Sequence, residues 1–283
     1  MIIDFRVRPP YKGYLNTFNF RKAAPSSDPT RETIFSIGKR PNVSAIEGSI
    51  ELFMREMDAT GTERAVIMGR KADSYGMVDN NEILELSRTY PGRFIPFAGA
   101  NPNLPGMVEE IEHFAGQGFR GVGLDAGWLG RPLYYDDPLF DPIYAKCQEL
   151  GLIASLTSSF MLGPDLSYSD PDPIQRVAQK YPDLKIIVPH GCWPHVHTAL
   201  AVAIRCPNVY LMPDCYIYID GFALSDEYIK AANTYLKYRI LYASSYPVRS
   251  LSQCLRGWKS RGFTDEALQN TLYDNAARLL GEK

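Results

Sequence analysis

Eight times along this chain a short apolar run ends in a turn, and helical patterns fill the intervals between the runs. That rhythm constrains the fold more than any single motif. The runs are Ile2–Pro10, Arg64–Gly69, Phe94–Asn101, Gly121–Gly127, Leu152–Ser158, Lys185–Gly191, Val209–Asp214 and Ile240–Ser245. Helical spacing predicts helices over Ser44–Ala59, Asn80–Tyr90, Met107–Gln117 and Asp141–Leu150. Strands that alternate with helices form parallel sheets, and eight such units close economically into a barrel. The predicted class is therefore α/β, a (β/α)8 TIM-type barrel. At 283 residues with 45% hydrophobic content, residues 1–283 suit one such domain better than two.

Charge narrows the function classes. A formal net charge of -2 and the lack of a concentrated Lys/Arg run argue against nucleic acid or an anionic membrane surface as partner. No apolar run approaches the ~20 residues of a spanning helix, and Asp4 and Arg6 stand where a signal peptide needs an apolar core. A cytoplasmic protein acting on a small molecule is expected. The five cysteines are scattered and odd in number, which suits reduced thiols.

The first run carries the most chemistry. In an alternating strand Asp4, Arg6 and Arg8 share one face, while Ile3, Phe5 and Val7 pack under helices on the other. Residues 10–44 then form a long insertion, with Pro25, Ser26, Ser27, Asp28 and Pro29 signalling irregular backbone. Tyr11, Tyr14, Phe18 and Phe20 either wall a pocket or pin this loop to the barrel or to a neighbouring copy, so a homo-oligomer is compatible with the sequence.

Several segments, in order, carry a family resemblance. They are the opening Ile3-Asp4-Phe5-Arg6-Val7-Arg8, then Tyr90-Pro91-Gly92-Arg93-Phe94 and Gly118-Phe119-Arg120-Gly121. Asp136-Asp137-Pro138-Leu139-Phe140, Tyr181-Pro182-Asp183-Leu184 through His190-Gly191, and Asn275-Ala276-Ala277-Arg278-Leu279 complete the series. Together they resemble the amidohydrolase-related superfamily, in particular its aminocarboxymuconate semialdehyde decarboxylase-like branch. The resemblance implies a barrel and a divalent metal held by histidines at positions 6 and 8, at the ends of strands five and six, and by an aspartate at the end of strand eight. Here those positions are Arg6, Arg8, Thr157, His190 and Ser245. A guanidinium has no lone pair for a metal, and a neutral hydroxyl is a poor ligand. No catalytic metal and no other cofactor are expected.

Arg6 and Arg8 instead suit a carboxylate or phosphate, with Ser245 beside them, so a small anionic substrate is expected. They could equally pair internally with Asp4, Asp125 or Asp214. His190 with Asp214 forms the candidate catalytic pair, a carboxylate-supported general base; the alternative for Asp214 is a salt bridge to Arg8. Arg70 and Lys71 are weaker anion contacts whose commoner fate is surface solvation. His195 and His197 lie in the loop after strand six, one of them expected in solvent, and His113 in a helix. Cys192, Ser244 and Ser245 offer nucleophiles without a nucleophile signature. A metal-independent hydrolase of a carboxylate-bearing lactone or related carbonyl compound is the leading expectation. A metal-free decarboxylase-like lyase and a non-catalytic binding protein are the alternatives.

Overall fold

The computed structural model of the protein describes residues 1–21 and 38–282. The turn signals at Pro25–Pro29 lie outside them. Seven strands form one parallel sheet in the order β1-β2-β5-β6-β7-β8-β9. They are β1 (Ile2–Val7), β2 (Thr62–Met68), β5 (Phe94–Gly99), β6 (Gly121–Leu124), β7 (Ile153–Leu156), β8 (Ile186–Pro189) and β9 (Val209–Met212). A separate antiparallel hairpin, β3 (Arg70–Ala72) and β4 (Gly76–Val78), follows β2.

The eighth predicted strand is present as a closing segment without regular ladder pairing. Leu241 N donates to Leu211 O (3.0 Å), Phe5 N to Tyr242 O (3.1 Å) and Arg8 N to Tyr246 O (3.0 Å), so the segment joins the last strand to the first. Isolated bridges Leu211–Ile240 and Val7–Tyr246 mark its two edges. The ladder fails between them because side chains claim the backbone: Ser244 N donates to Asp4 Oδ1 (2.9 Å), and Ser244 O accepts from Tyr218 Oη (2.6 Å). Ser245, at φ 50°, leaves extended geometry altogether. The chain thus adopts the (β/α) TIM-type fold.

Two other expectations are corrected locally. Ser44–Ala59 is not one helix but two, Val43–Glu47 and Ile50–Thr60, because Gly48 at φ 63° ends the first and Ser49 caps the second by accepting from Leu52 N (3.2 Å). The longer piece buries Phe53, Met54 and Met57, worth roughly 1.5–3 kcal/mol each. Ile46, on the shorter piece, is left exposed. A β-branched residue at position 48 would be strained in that left-handed turn and would misdirect both helices.

The second correction concerns β1. Its pairing to β2 slips between Asp4–Ala65 and Val7–Ile67, so three steps on β1 face two on β2. The bulge breaks the alternation read from sequence. Ile3 and Phe5 do not face the outer helices; they join Val66, Ile95, Phe97, Ile153, Ile187, Met212 and Leu241 in a cluster drawn from six of the seven strands and the closing segment. Val7 packs with Ala65, Ile67 and Phe53 in the helix-facing layer. Beneath the inner cluster lies the last helix, Asn275–Leu279, whose end is gripped from the strands' N-terminal side. Arg120 donates to Leu280 O (2.6 Å) and Lys185 to Leu279 O (3.0 Å), each from the residue just before a strand. With that end plugged, the opposite, C-terminal end of the barrel is where a site can form.

Candidate functional site

Most strands deliver one or two polar side chains to the mouth from their C-terminal ends. Arg6 and Arg8 come from β1, Arg70 from the start of the hairpin, Asp125 from the end of β6, and Thr157 from the end of β7. His190 follows β8, Asp214 follows β9, and Ser245 ends the closing segment. All of them are buried.

His190, Asp214, Arg6 and Ser245 form one closed network. Arg6 Nη1 lies 2.8 Å from His190 Nε2, 3.3 Å from Asp214 Oδ2 and 3.2 Å from Ser245 Oγ. Asp214 Oδ1 accepts from His190 Nδ1 (2.9 Å) and from Cys215 N (2.5 Å), and Oδ2 also accepts from Ser245 Oγ (2.7 Å). A guanidinium only donates, so Nε2 of His190 must accept and Nδ1 carries the proton. Burial, opposed by Asp214 and reinforced by Arg6, pulls His190 down to about 4, and the imidazole is neutral. Burial pushes Asp214 up, but His190, Arg6 and Ser245 outweigh it and hold the carboxyl well below its usual range. Asp214 thus pairs with Arg6, not with Arg8 as one sequence reading had it. His190, Asp214 and Ser245 all adopt positive φ (68°, 43° and 50°), a backbone state that is sparsely populated for residues with a Cβ and collects at functional sites.

The other side of the mouth is built differently. Arg70 is not solvated; it is buried, paired with Asp125 and set over the Tyr75 ring with Cζ 4.1 Å from the centroid. Tyr75 stacks on Trp128 at 4.7 Å and 26°, and Arg8 Cζ lies 5.6 Å from the same Tyr75 ring. Arg8 donates only to the carbonyls of Ser245 (3.2 Å) and Tyr246 (3.5 Å), and no carboxylate pairs with it among the described residues. Burial and the nearby Arg8 push Arg6 down to about 10, so it remains a cation at neutral pH. Buried Arg6 Nε and Nη2, Arg8 Nε, Arg70 Nε and Tyr75 Oη have no hydrogen-bond partner among the described residues.

The remaining candidates lie elsewhere. Asp4 binds the backbone N–H groups of Ser244 and Arg6 (2.9 and 3.2 Å), and burial pushes it up to about 7. Lys71 pairs with Glu110. His197 and His113 are exposed. Burial pushes the Cys192 thiol up to about 12, which leaves it a poor nucleophile. Tyr11 donates to Glu85 (2.6 Å) and Tyr14 to Met68 O (2.5 Å), while Phe20 packs on Tyr246, so these three anchor the insertion. Phe18 reaches the Tyr75 ring at 6.3 Å. Sequence reasoning missed Tyr75, Trp128 and Cys215, and named Arg70 only as a weaker anion contact at the end of the second strand.

The fold family implies a divalent metal, and the residues present do not fit one. Arg6 Nη1 occupies the Nε2 lone pair of His190. His190, Asp214 and Cys215 bring donor atoms within 4.8 Å of one another. However, His190 Nδ1 is protonated toward Asp214, and burial with Asp214 pushes the Cys215 thiol well above its ordinary value. A metal needs the deprotonated forms of both.

The amidohydrolase family model matches residues 4–281. Among solved structures, an uncharacterized TIM-barrel protein from Bordetella bronchiseptica is 32% identical, with 99% of this chain and 98% of that one covered and a TM-score of 0.88. A probable 2-pyrone-4,6-dicarboxylic acid hydrolase from Acinetobacter baumannii, with citric acid bound, reaches a TM-score of 0.67 at 14% identity over 99% of each chain. The 5-carboxyvanillate decarboxylase of Sphingomonas paucimobilis gives 0.65 at 15% over 99% and 98%. The last two share the fold. No curated protein matches.

Proposed function

The chain belongs to the amidohydrolase family, and from that premise we propose that it is a metal-independent hydrolase of a small carboxylate-bearing substrate, a lactone or related carbonyl compound. The observation that carries this reading is the set of buried donors on Arg6, Arg8, Arg70 and Tyr75 that stand unfilled among the described residues. Donors without acceptors call for an anion, and a carboxylate matches a guanidinium fork. The arginines hold the acid and polarise the carbonyl. Docking draws Arg6 toward the ligand and frees Nε2 of His190, whose tautomer Asp214 has set. Water then adds to the lactone carbonyl and its proton passes to Nε2; the ring C–O bond breaks and the ring oxygen takes that proton back.

One observation favours a second reading, binding without turnover: Nε2 is held by Arg6 at 2.8 Å in the free protein. His190→Asn separates the two. Assayed in chelator-treated buffer, wild type is expected to open 2-pyrone-4,6-dicarboxylate, and the variant to lose ~10²- to 10⁴-fold in rate with little change in binding. Turnover that appears only when Zn²⁺ or Mn²⁺ is added sinks the metal-independent reading. Binding with no turnover of lactones, or of hydroxybenzoates as decarboxylation substrates, makes the protein a binding module.

A further inference from the structure

We propose that Tyr75 is a ligand-binding residue, its hydroxyl donating to a carboxylate that Arg8 and Arg70 hold from either guanidinium. The inference deepens the reading above and rests on it.

Tyr75 is 2% exposed, and its hydroxyl has no hydrogen-bond partner among the described residues. Burying a hydroxyl without a partner costs about 1–3 kcal/mol, so such a group calls for an explanation. The backbone that carries it is well tied down. Tyr75 N donates to Ala72 O (3.2 Å), Phe18 N to Tyr75 O (2.9 Å) and Ser74 N to Trp128 O (3.2 Å). The hairpin thus fixes the backbone, and the contacts with Trp128 and Arg70 hold the ring on it. Its surroundings are cationic: Arg70 and Arg8 lie against the ring, and Arg6 adds its charge to the same field.

The chemistry of the ligand follows from what is unfilled. Among the described residues the unfilled atoms of Arg6, Arg8, Arg70 and Tyr75 are donors, while Asp214 and Asp125 are already paired with Arg6 and Arg70. A neutral sugar or amide would bring further hydroxyl or N–H donors to a group of unfilled donors. An ionised carboxylate only accepts, at about four lone-pair sites. Five unfilled donors exceed that number, so a planar dicarboxylate is the suitable probe.

The test is a calorimetric titration of isophthalate into wild type, Tyr75→Phe and Arg8→Met, with the thermal midpoint of each free protein. Tyr75→Phe removes one oxygen and keeps the ring against Arg70 and Trp128. The expected result is an affinity about tenfold lower, with the free variant at least as stable as wild type because a buried unpaired hydroxyl is gone. Affinity within twofold of wild type overturns the assignment, and so does a loss accompanied by an equal loss of stability, which marks a structural role. Arg8→Met keeps the two failures apart. If it alone loses affinity, the anion site stands without Tyr75; if Tyr75→Phe loses affinity and Arg8→Met does not, Tyr75 binds and the arginine assignment falls. Wild type that takes up no isophthalate at millimolar concentration overturns both.

Discussion

Around Asp214 the carboxylate and the imidazole are fully used: both carboxylate oxygens accept two hydrogen bonds, His190 is bonded through both nitrogens, and Arg6 Nη1 serves three acceptors. Around Tyr75, equally buried in the same mouth, donors outnumber their acceptors among the described residues. Removing one member of a filled network leaves a buried charge uncompensated, so that half is tied to folding. An unfilled half costs stability in the free protein and returns it when an acceptor arrives, so it is tied to binding. The contrast teaches that burial alone does not tell which atoms await a ligand; hydrogen-bond satisfaction does.

The largest effect should come from the filled half. Asp214→Asn strips the counter-ion from Arg6 and should cost ~3–5 kcal/mol by urea denaturation. A loss under ~1 kcal/mol would break the comparison, since the filled half would then not be tied to folding.

The next effect is one of pH, and two groups oppose each other. His190, with its folded value lowered to about 4, resists a proton that the unfolded chain accepts near 6.5, so its contribution is present above 6.5 and lost as pH falls to 4. Asp4, raised to about 7, keeps a proton that the unfolded chain releases near 3.8, so its contribution is present below 3.8 and lost as pH rises to 7. Between 4 and 6.5 the two slopes cancel, and wild-type stability should be nearly flat. In His190→Asn only Asp4 remains, and stability should fall with rising pH by up to ~1.4 kcal/mol per unit. Denaturation midpoints at pH 4.5 and 6.5 check it; a variant as flat as wild type contradicts the assignment of Asp4.

The smallest effect belongs to the unfilled half. Arg8→Met should leave the free protein's stability within ~0.5 kcal/mol, yet weaken carboxylate binding at least tenfold, ~1.4 kcal/mol. Stability falling with binding unchanged would make Arg8 part of the scaffold.

The barrel was legible because each strand and helix writes its own period, and Arg6, Arg8, His190, Asp214 and Ser245 were legible because they end strands. What was not legible depends on events the period cannot carry. The bulge between Asp4 and Val7 adds one residue without changing the apolar pattern, so the alternation misplaced Ile3 and Phe5. The closing segment near Ser244 spends its backbone on Asp4 and Tyr218, which a strand reading cannot anticipate. Tyr75 lies in a hairpin turn between two three-residue strands, where composition says only that the chain reverses. Its importance comes from Arg70 and Trp128, the second of them 53 positions away by subtraction of their residue numbers.

The three bonds of Arg6 Nη1 also bear on the history open to such a chain. The family resemblance places a metal-binding histidine at position 6, yet Arg6→His alone would withdraw a donor from Asp214, Ser245 and His190 at once. A penalty of ~3–5 kcal/mol against a typical total stability of 5–15 is a deep valley for a single mutational step to cross. Arg8, Thr157 and Ser245 would still offer no ligands on the far side. If the chain works without metal, as proposed above, that step behaves as a ratchet, and only coordinated replacement of several mouth residues could turn it back.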